Sequence, residues 1–207
     1  MSRISIVCGV LLSVILILAI WTTTVPAKEV ENILDNPDFE ADTGGWTIGA
    51  GGTFLIDKKE KFPIGQVVKA QIDAVGANAW EPEIHSKSFD VKNATMYTCS
   101  FWAKASKVRP IAVKYEQLDT WVGPSQNFNI TDQQLEEYSF SPTMTMGSPP
   151  QVVIHIQFNN QTGTLWFAHF RVYEGKYVED DLKIIGKPKA VTPGEKLASS
   201  WGEIKSR

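Results

Sequence analysis

The chain has 207 residues, of which 43% are hydrophobic and 21% charged, with 2 Cys and a formal net charge of -3. It is too apolar for a disordered chain and too poor in cysteine for a disulfide scaffold. The slightly acidic balance and the absence of a Lys/Arg run exclude the electrostatic footprint of a nucleic-acid binder.

Residues 1–27 read as an export signal. Arg3 is the only charge ahead of an apolar run over 4–20, and Val25-Pro26-Ala27 offers a small-residue cleavage pattern. The run also lies at the short edge of a membrane span, so an uncleaved anchor is the alternative. Cleavage predicts a secreted or cell-surface protein that begins at Lys28 and keeps no membrane contact. It also removes Cys8 and leaves Cys99 alone, so no intrachain disulfide can form and the core must hold the fold.

From Glu31 onward the pattern is that of strands. Segments 66–72, 96–105, 111–118, 151–159 and 164–173 alternate or are rich in β-branched and aromatic residues. Gly, Pro, Asn and Asp clusters at 49–52, 107–110, 147–150 and 159–163 separate them. No apolar stripe of 3.6-residue period is sustained, and 132–137 allows one helical turn at most. Many short strands with turns at this spacing predict an all-β domain over 31–174, a two-sheet antiparallel β-sandwich or jelly roll. Residues 175–207 turn charged and Pro-containing, with 186–194 a linker and Trp201 within a tail that either docks on another module or surface protein or frays.

Alternation sorts the aromatics between the interior and the outside. Tyr97, Cys99 and Phe101 are expected inward, which turns Trp102 outward, either open to a ligand or covered by a loop. Val152, Ile154, Ile156 and Phe158 point in, with His155 and Gln157 out. Ile111, Val113 and Tyr115 point in, with Lys114 and Glu116 out beside them. In the last strand Trp166, Phe170 and Val172 are assigned to the core, and Phe167, His169 and Arg171 to the opposite face. Trp46, after two glycines, is expected to pack under the first loop.

Three segments in order carry a family resemblance. Asn32-Ile33-Leu34-Asp35-Asn36-Pro37-Asp38-Phe39-Glu40 with Gly45-Trp46 resembles an N-x-x-F-E…G-W opening. Tyr97-Thr98-Cys99-Ser100-Phe101-Trp102-Ala103-Lys104-Ala105 resembles a middle strand, and residues 165–173 a closing one. Together they resemble the carbohydrate-binding modules of families four, nine and twenty-two, with their galactose-binding-like jelly roll. The resemblance implies a domain that binds glycans without cleaving them. It also implies a structural calcium, but the closing strand has Ala168 and His169 where the family carries a carboxylate pair. Losing a carboxylate removes a major charge contribution to such a site. Glu40 and backbone carbonyls near Asn36 are the remaining candidates for calcium.

A glycan site needs flat rings for the C–H faces of a pyranose and polar groups for its hydroxyls. Trp80 with Glu83 resembles the region where the family places a stacking ring beside an acid, and His155 matches a polar cleft position. Trp121, in a loop after Asp119-Thr120, can form a cleft wall; Trp102 and Gln157 complete the candidates. Each ring can equally be packing, and His155 an ordinary strand residue. Catalytic motifs are missing: there is no G-x-S-x-G elbow and no H-E-x-x-H, and the three His residues are scattered with no metal-ligand spacing. The expectation is a non-catalytic module for poly- or oligosaccharide. A protein-interaction sandwich without sugar is the competing class, and a glycoside hydrolase the least supported. Three sequons, at Asn93, Asn129 and Asn160, fall at turns or strand ends.

Overall fold

In the computed structural model the described residues are 30–78, 80–146, 151–180 and 182. The export signal, the linker at 186–194 and the tail with Trp201 lie outside them. Eleven strands follow in chain order: β1 (Trp46–Ile48), β2 (Gly52–Ile56), β3 (Val68–Ile72), β4 (Glu83–Ser86), β5 (Phe89–Asp90), β6 (Tyr97–Ala105), β7 (Arg109–Gln117), β8 (Ser125–Ile130), β9 (Glu136–Phe140), β10 (Gln151–Gln157) and β11 (Gly163–Glu174). They form two antiparallel sheets, ordered β1-β4-β10-β7-β8 with β5 also on β10, and β2-β3-β11-β6-β9. This is the antiparallel sandwich the alternation predicts. Residues 132–137, which allow one helical turn at most, form a bend at 132–134 that leads into β9.

The core fills the space between the sheets. Phe101 stands at its centre, stacked on Phe170 at 5.3 Å and on Tyr138 at 5.7 Å, with Phe128 edge-on at 5.4 Å. Phe39, Trp46, Phe54 and Phe170 close one end, and the Trp46 indole N–H donates to the Asn36 carbonyl. Cys99 lies in this core, and burial pushes its thiol far up, so it stays protonated and unreactive. The inward sets expected for β6, β7 and β10 all lie here.

In β11 the alternation changes phase. Residues Ala168 and Arg171 pair with Trp102 and Ser100, so β11 carries one extra residue opposite β6. His169, at that bulge, has φ +47°. Ahead of the bulge Leu165 and Phe167 point into the core, and beyond it Phe170 and Val172 do. The inward assignment of Trp166 and the outward one of Phe167 are therefore reversed. Trp166 lies outside, its indole N–H donating to Asp57 at 2.8 Å and its ring 5.0 Å beneath the Lys104 ammonium.

Candidate functional site

The two sheets differ on their outer faces. On the five-stranded sheet Trp102 does face outward, but it is only 2% exposed. Val67, Ala168 and Leu182 pack with it in a second apolar cluster, joined by Phe62, Ile64 and Leu135. Trp102 is thus a buried residue of that cover, and its assignment to sugar contact is corrected. Beside it His169 lies between Asp38 on Nδ1 and Asp180 on Nε2, the latter 3.0 Å away. Burial alone lowers the pKa of this imidazole, but hydrogen bonds and charge from Asp180 and Asp38 outweigh it and push the value up to about 9. Arg171 extends the network to Glu137 at 2.7 Å and to Ser100 at 3.0 Å.

That geometry bears on calcium. The position matching the family's carboxylate pair holds a cationic imidazole, and Asp180, remote in sequence, serves as its partner. Glu40 is exposed and belongs to no gathered group of three ligand side chains among the described residues. A cation set between the carboxylates does not fit an ion that wants six to eight hard oxygens.

The outer face of the six-stranded sheet carries a polar row. Cross-strand partners in an antiparallel sheet point to the same side. Thr47 pairs with His85, His85 with His155, His155 with Lys114, and Lys114 with Ser125, so one row crosses five of the six strands. A second row runs Glu83, Gln157, Ala112, Asn127. His155 is 2% exposed, sealed between neighbours rather than open to solvent. Its Nδ1 lies 2.8 Å from Glu116 Oε2, and its Nε2 lies 2.9 Å from Glu83 Oε2. Lys114 Nζ bonds the same Glu116 oxygen at 2.9 Å. Burial raises the Glu116 pKa, but hydrogen bonds from His155 and Lys114 and their charges prevail and hold it below the usual carboxylate range. The His85 ring stands edge-on to His155 at 4.5 Å. Burial, then repulsion from His155, lowers its pKa against the pull of Glu83 and Glu116, so His85 is neutral at pH 7.

Two rings stand free at the ends of this face. Trp80 is 47% exposed and Trp121 63%, and they are the exposed tryptophans among the described residues. Trp80 sits at the turn into β4, where Glu81 accepts from the Asn78 amide at 3.1 Å. It adjoins the Glu83–Gln157 row. Trp121 belongs to the β7–β8 turn, at the opposite end of the strands. Its N–H donates to Gln117 O at 2.9 Å, and its carbonyl accepts from Lys114 Nζ, which bends the turn back over the polar row. A Cβ at Gly123 would lie 1.7 Å from Tyr115 O, so only glycine lets this turn close down. The same turn borders a groove lined by Gln117, Thr120, Val122, Pro124 and Met146.

Of the expected residues, the fold brings Glu83, His155 and Gln157 together, sets Trp80 and Trp121 at the two ends, and buries Trp102 elsewhere. The reading of the histidines as scattered is corrected: His85 and His155 are cross-strand neighbours. Sequence reasoning missed this because Glu83–Ser86 has no apolar alternation to mark it as a strand.

The family model described as "Carbohydrate binding domain" matches residues 31–163. No curated protein matches the chain. Among solved structures, the one described as "CBM4 structure and function" is 20% identical, with a TM-score of 0.55 over 69% of this chain and 99% of that one. The CBM22-1 xylan-binding domain of Paenibacillus barcinonensis Xyn10C is 15% identical, with a TM-score of 0.51 over 73% and 99%. TmCBM61, solved with beta-1,4-galactotriose, is 18% identical, with a TM-score of 0.50 over 70% and 99%. At these identities the likeness is one of fold.

Proposed function

We propose that this chain, which belongs to the carbohydrate binding domain family, holds a poly- or oligosaccharide on the outer face of its six-stranded sheet and breaks no bond in it. The observation that carries this reading is the polar row, with a free tryptophan beyond each end of the strands that bear it. Trp80 and Trp121 offer flat apolar faces, while Gln157, Asn127, Glu83 and His85 offer donors and acceptors between them. A ring that covers about 100 Å² of sugar contributes on the order of 2–3 kcal/mol. Side chains built to bond a hydroxyl then discriminate against sugars that lack it. The oligosaccharide held by TmCBM61 and the xylan bound by the Paenibacillus domain support a neutral, linked-sugar ligand for a sandwich of this kind.

The carboxylates speak for binding rather than hydrolysis. Glu83 and Glu116 both approach a single imidazole, one at each ring nitrogen. A hydrolase needs its carboxyl pair free and opposed across the scissile bond, about 5–10 Å apart. The export signal places the module outside the cell, free or at the surface. One module should bind at about -4 to -7 kcal/mol, millimolar to low micromolar. Attachment through the chain beyond Leu182 to other modules or surface proteins then raises the working affinity.

Affinity electrophoresis in gels containing xylan, β-glucan or β-galactan tests the reading. Wild type is expected to be retarded by at least one polymer. Trp80→Ala and Trp121→Ala should each weaken that binding about thirtyfold, the equivalent of about 2 kcal/mol. Retardation that both variants keep in full would move the site elsewhere. A wild type that migrates freely in every gel would favour a protein-interaction module on the same fold.

A further inference from the structure

The open face holds a feature that sugar binding does not require. Glu83 and His85 lie two apart on β4 and so point to one side, and His155 stands directly opposite His85 on β10. Their ligand atoms all lie within 4.8 Å of one another. Glu116 lies at His155 Nδ1 and is itself held by Lys114, so the opposite ring nitrogen, Nε2, faces Glu83. A carboxylate on the far nitrogen is the partner that metal-binding histidines generally have.

The approach of His155 Nε2 to Glu83 Oε2 is 2.9 Å, yet it is not aligned as a hydrogen bond, and His85 Nε2 is likewise buried without one. With the ring proton on Nδ1 the two atoms would meet lone pair to lone pair, a repulsion that a cation between them relieves. Ligands 2.0–2.1 Å from a tetrahedral ion stand about 3.3 Å apart. The 2.9 Å from Glu83 to His155 and the 3.6 Å from Glu83 to His85 bracket that spacing.

We propose that Glu83, His85 and His155 bind one divalent late first-row metal ion, of which Zn²⁺ is the representative, with its remaining coordination position turned toward the outer face. Two imidazoles and one carboxylate suit zinc, copper or nickel and are too few and too soft for calcium. The paired strands set the ligands on a rigid frame. Glu83 and His85 keep 28% and 25% of their side-chain surface exposed, so an ion and an outer ligand can enter from solvent. The site stands whether or not the face also binds glycan.

The test is isothermal titration of the full, untagged, chelator-treated chain with Zn²⁺ at neutral pH, alongside its absorption with Co²⁺. One ion per chain is expected, together with the visible band of four-coordinate cobalt and a rise in Tm on adding Zn²⁺. His85→Asn and Glu83→Gln should each weaken binding at least about tenfold, while His169→Asn, in the other network, should leave it unchanged. Wild-type protein that takes up no Zn²⁺ and shows no cobalt band would overturn the site. So would folded His85→Asn protein that binds as tightly as wild type. Either result would make the three side chains a polar cluster that holds no metal.

Discussion

On the outer face of the six-stranded sheet His155 lies between Glu83 and Glu116; on that of the five-stranded sheet His169 lies between Asp38 and Asp180. Both rings are buried and each has a carboxylate at either nitrogen. What differs is the cover. Over His169 the chain lays its own segments, with Phe62, Ile64, Val67 and Leu182 packed around Trp102, and Arg171 ties β11 to Glu137 of β9. Over His155 the cover is only its polar neighbours, Glu83 and His85, and both remain partly exposed. The same local chemistry is therefore closed over on one sheet and left partly open on the other, the face proposed above to hold ligands. The aromatic rings follow that division, apolar cover on one face and free ends on the other.

Substitutions on the two faces should separate stability from binding. The largest effect is expected at Trp102. Trp102→Ala should cost about 3–5 kcal/mol in urea unfolding while the folded protein keeps its glycan retardation. Lost retardation with unchanged stability would reverse the roles given to the faces.

His169→Gln comes next, and its effect depends on pH. The folded pKa of about 9 lies above the unfolded value of about 6.5, so the stabilisation is complete below the lower value and lost as pH rises through the upper. The variant should be about 3 kcal/mol less stable near pH 6, with the gap to wild type closing toward pH 10. A gap that stays constant over that range would show that the imidazole contributes no charge. Trp80→Ala and Trp121→Ala give the mirror image, with the affinity loss stated above and less than about 0.5 kcal/mol of stability.

The smallest effect belongs to Lys104, which reaches Glu60 at 2.7 Å and lies over the Trp166 ring. Lys104→Met should cost about 1 kcal/mol in low salt and less in high salt, read from the same unfolding curves.

Much of the sandwich is legible along the chain. In β6, β7 and β10 the apolar residues recur at every second position, and they line the interior. β11 is legible only in part, because an extra residue at the bulge leaves no mark in the pattern while it shifts everything ahead of it. Arg109 was lost inside a turn cluster. It is in fact buried, with its guanidinium donating to Phe158 O at 2.9 Å and Gln161 O at 2.6 Å, and it pins the β10–β11 turn. At the site, Trp80 and Trp121 could be named because rings in turn segments have few places to be buried. His85 could not be paired with His155, since 69 intervening residues separate the partners in the chain and only sheet order joins them.

Composition, two-residue alternation and three motif segments were enough to determine a β-sandwich of the carbohydrate-binding family with the inward residues of β6, β7 and β10. These properties are local, since each side chain's direction follows from its place in its own strand. The tertiary structure alone decided which outward residues stay outward. Strand order set His85 beside His155, the bulge turned Trp166 out, and remote segments closed over Trp102. Each of these depends on what lies across the sheet or above it, and no single strand encodes that.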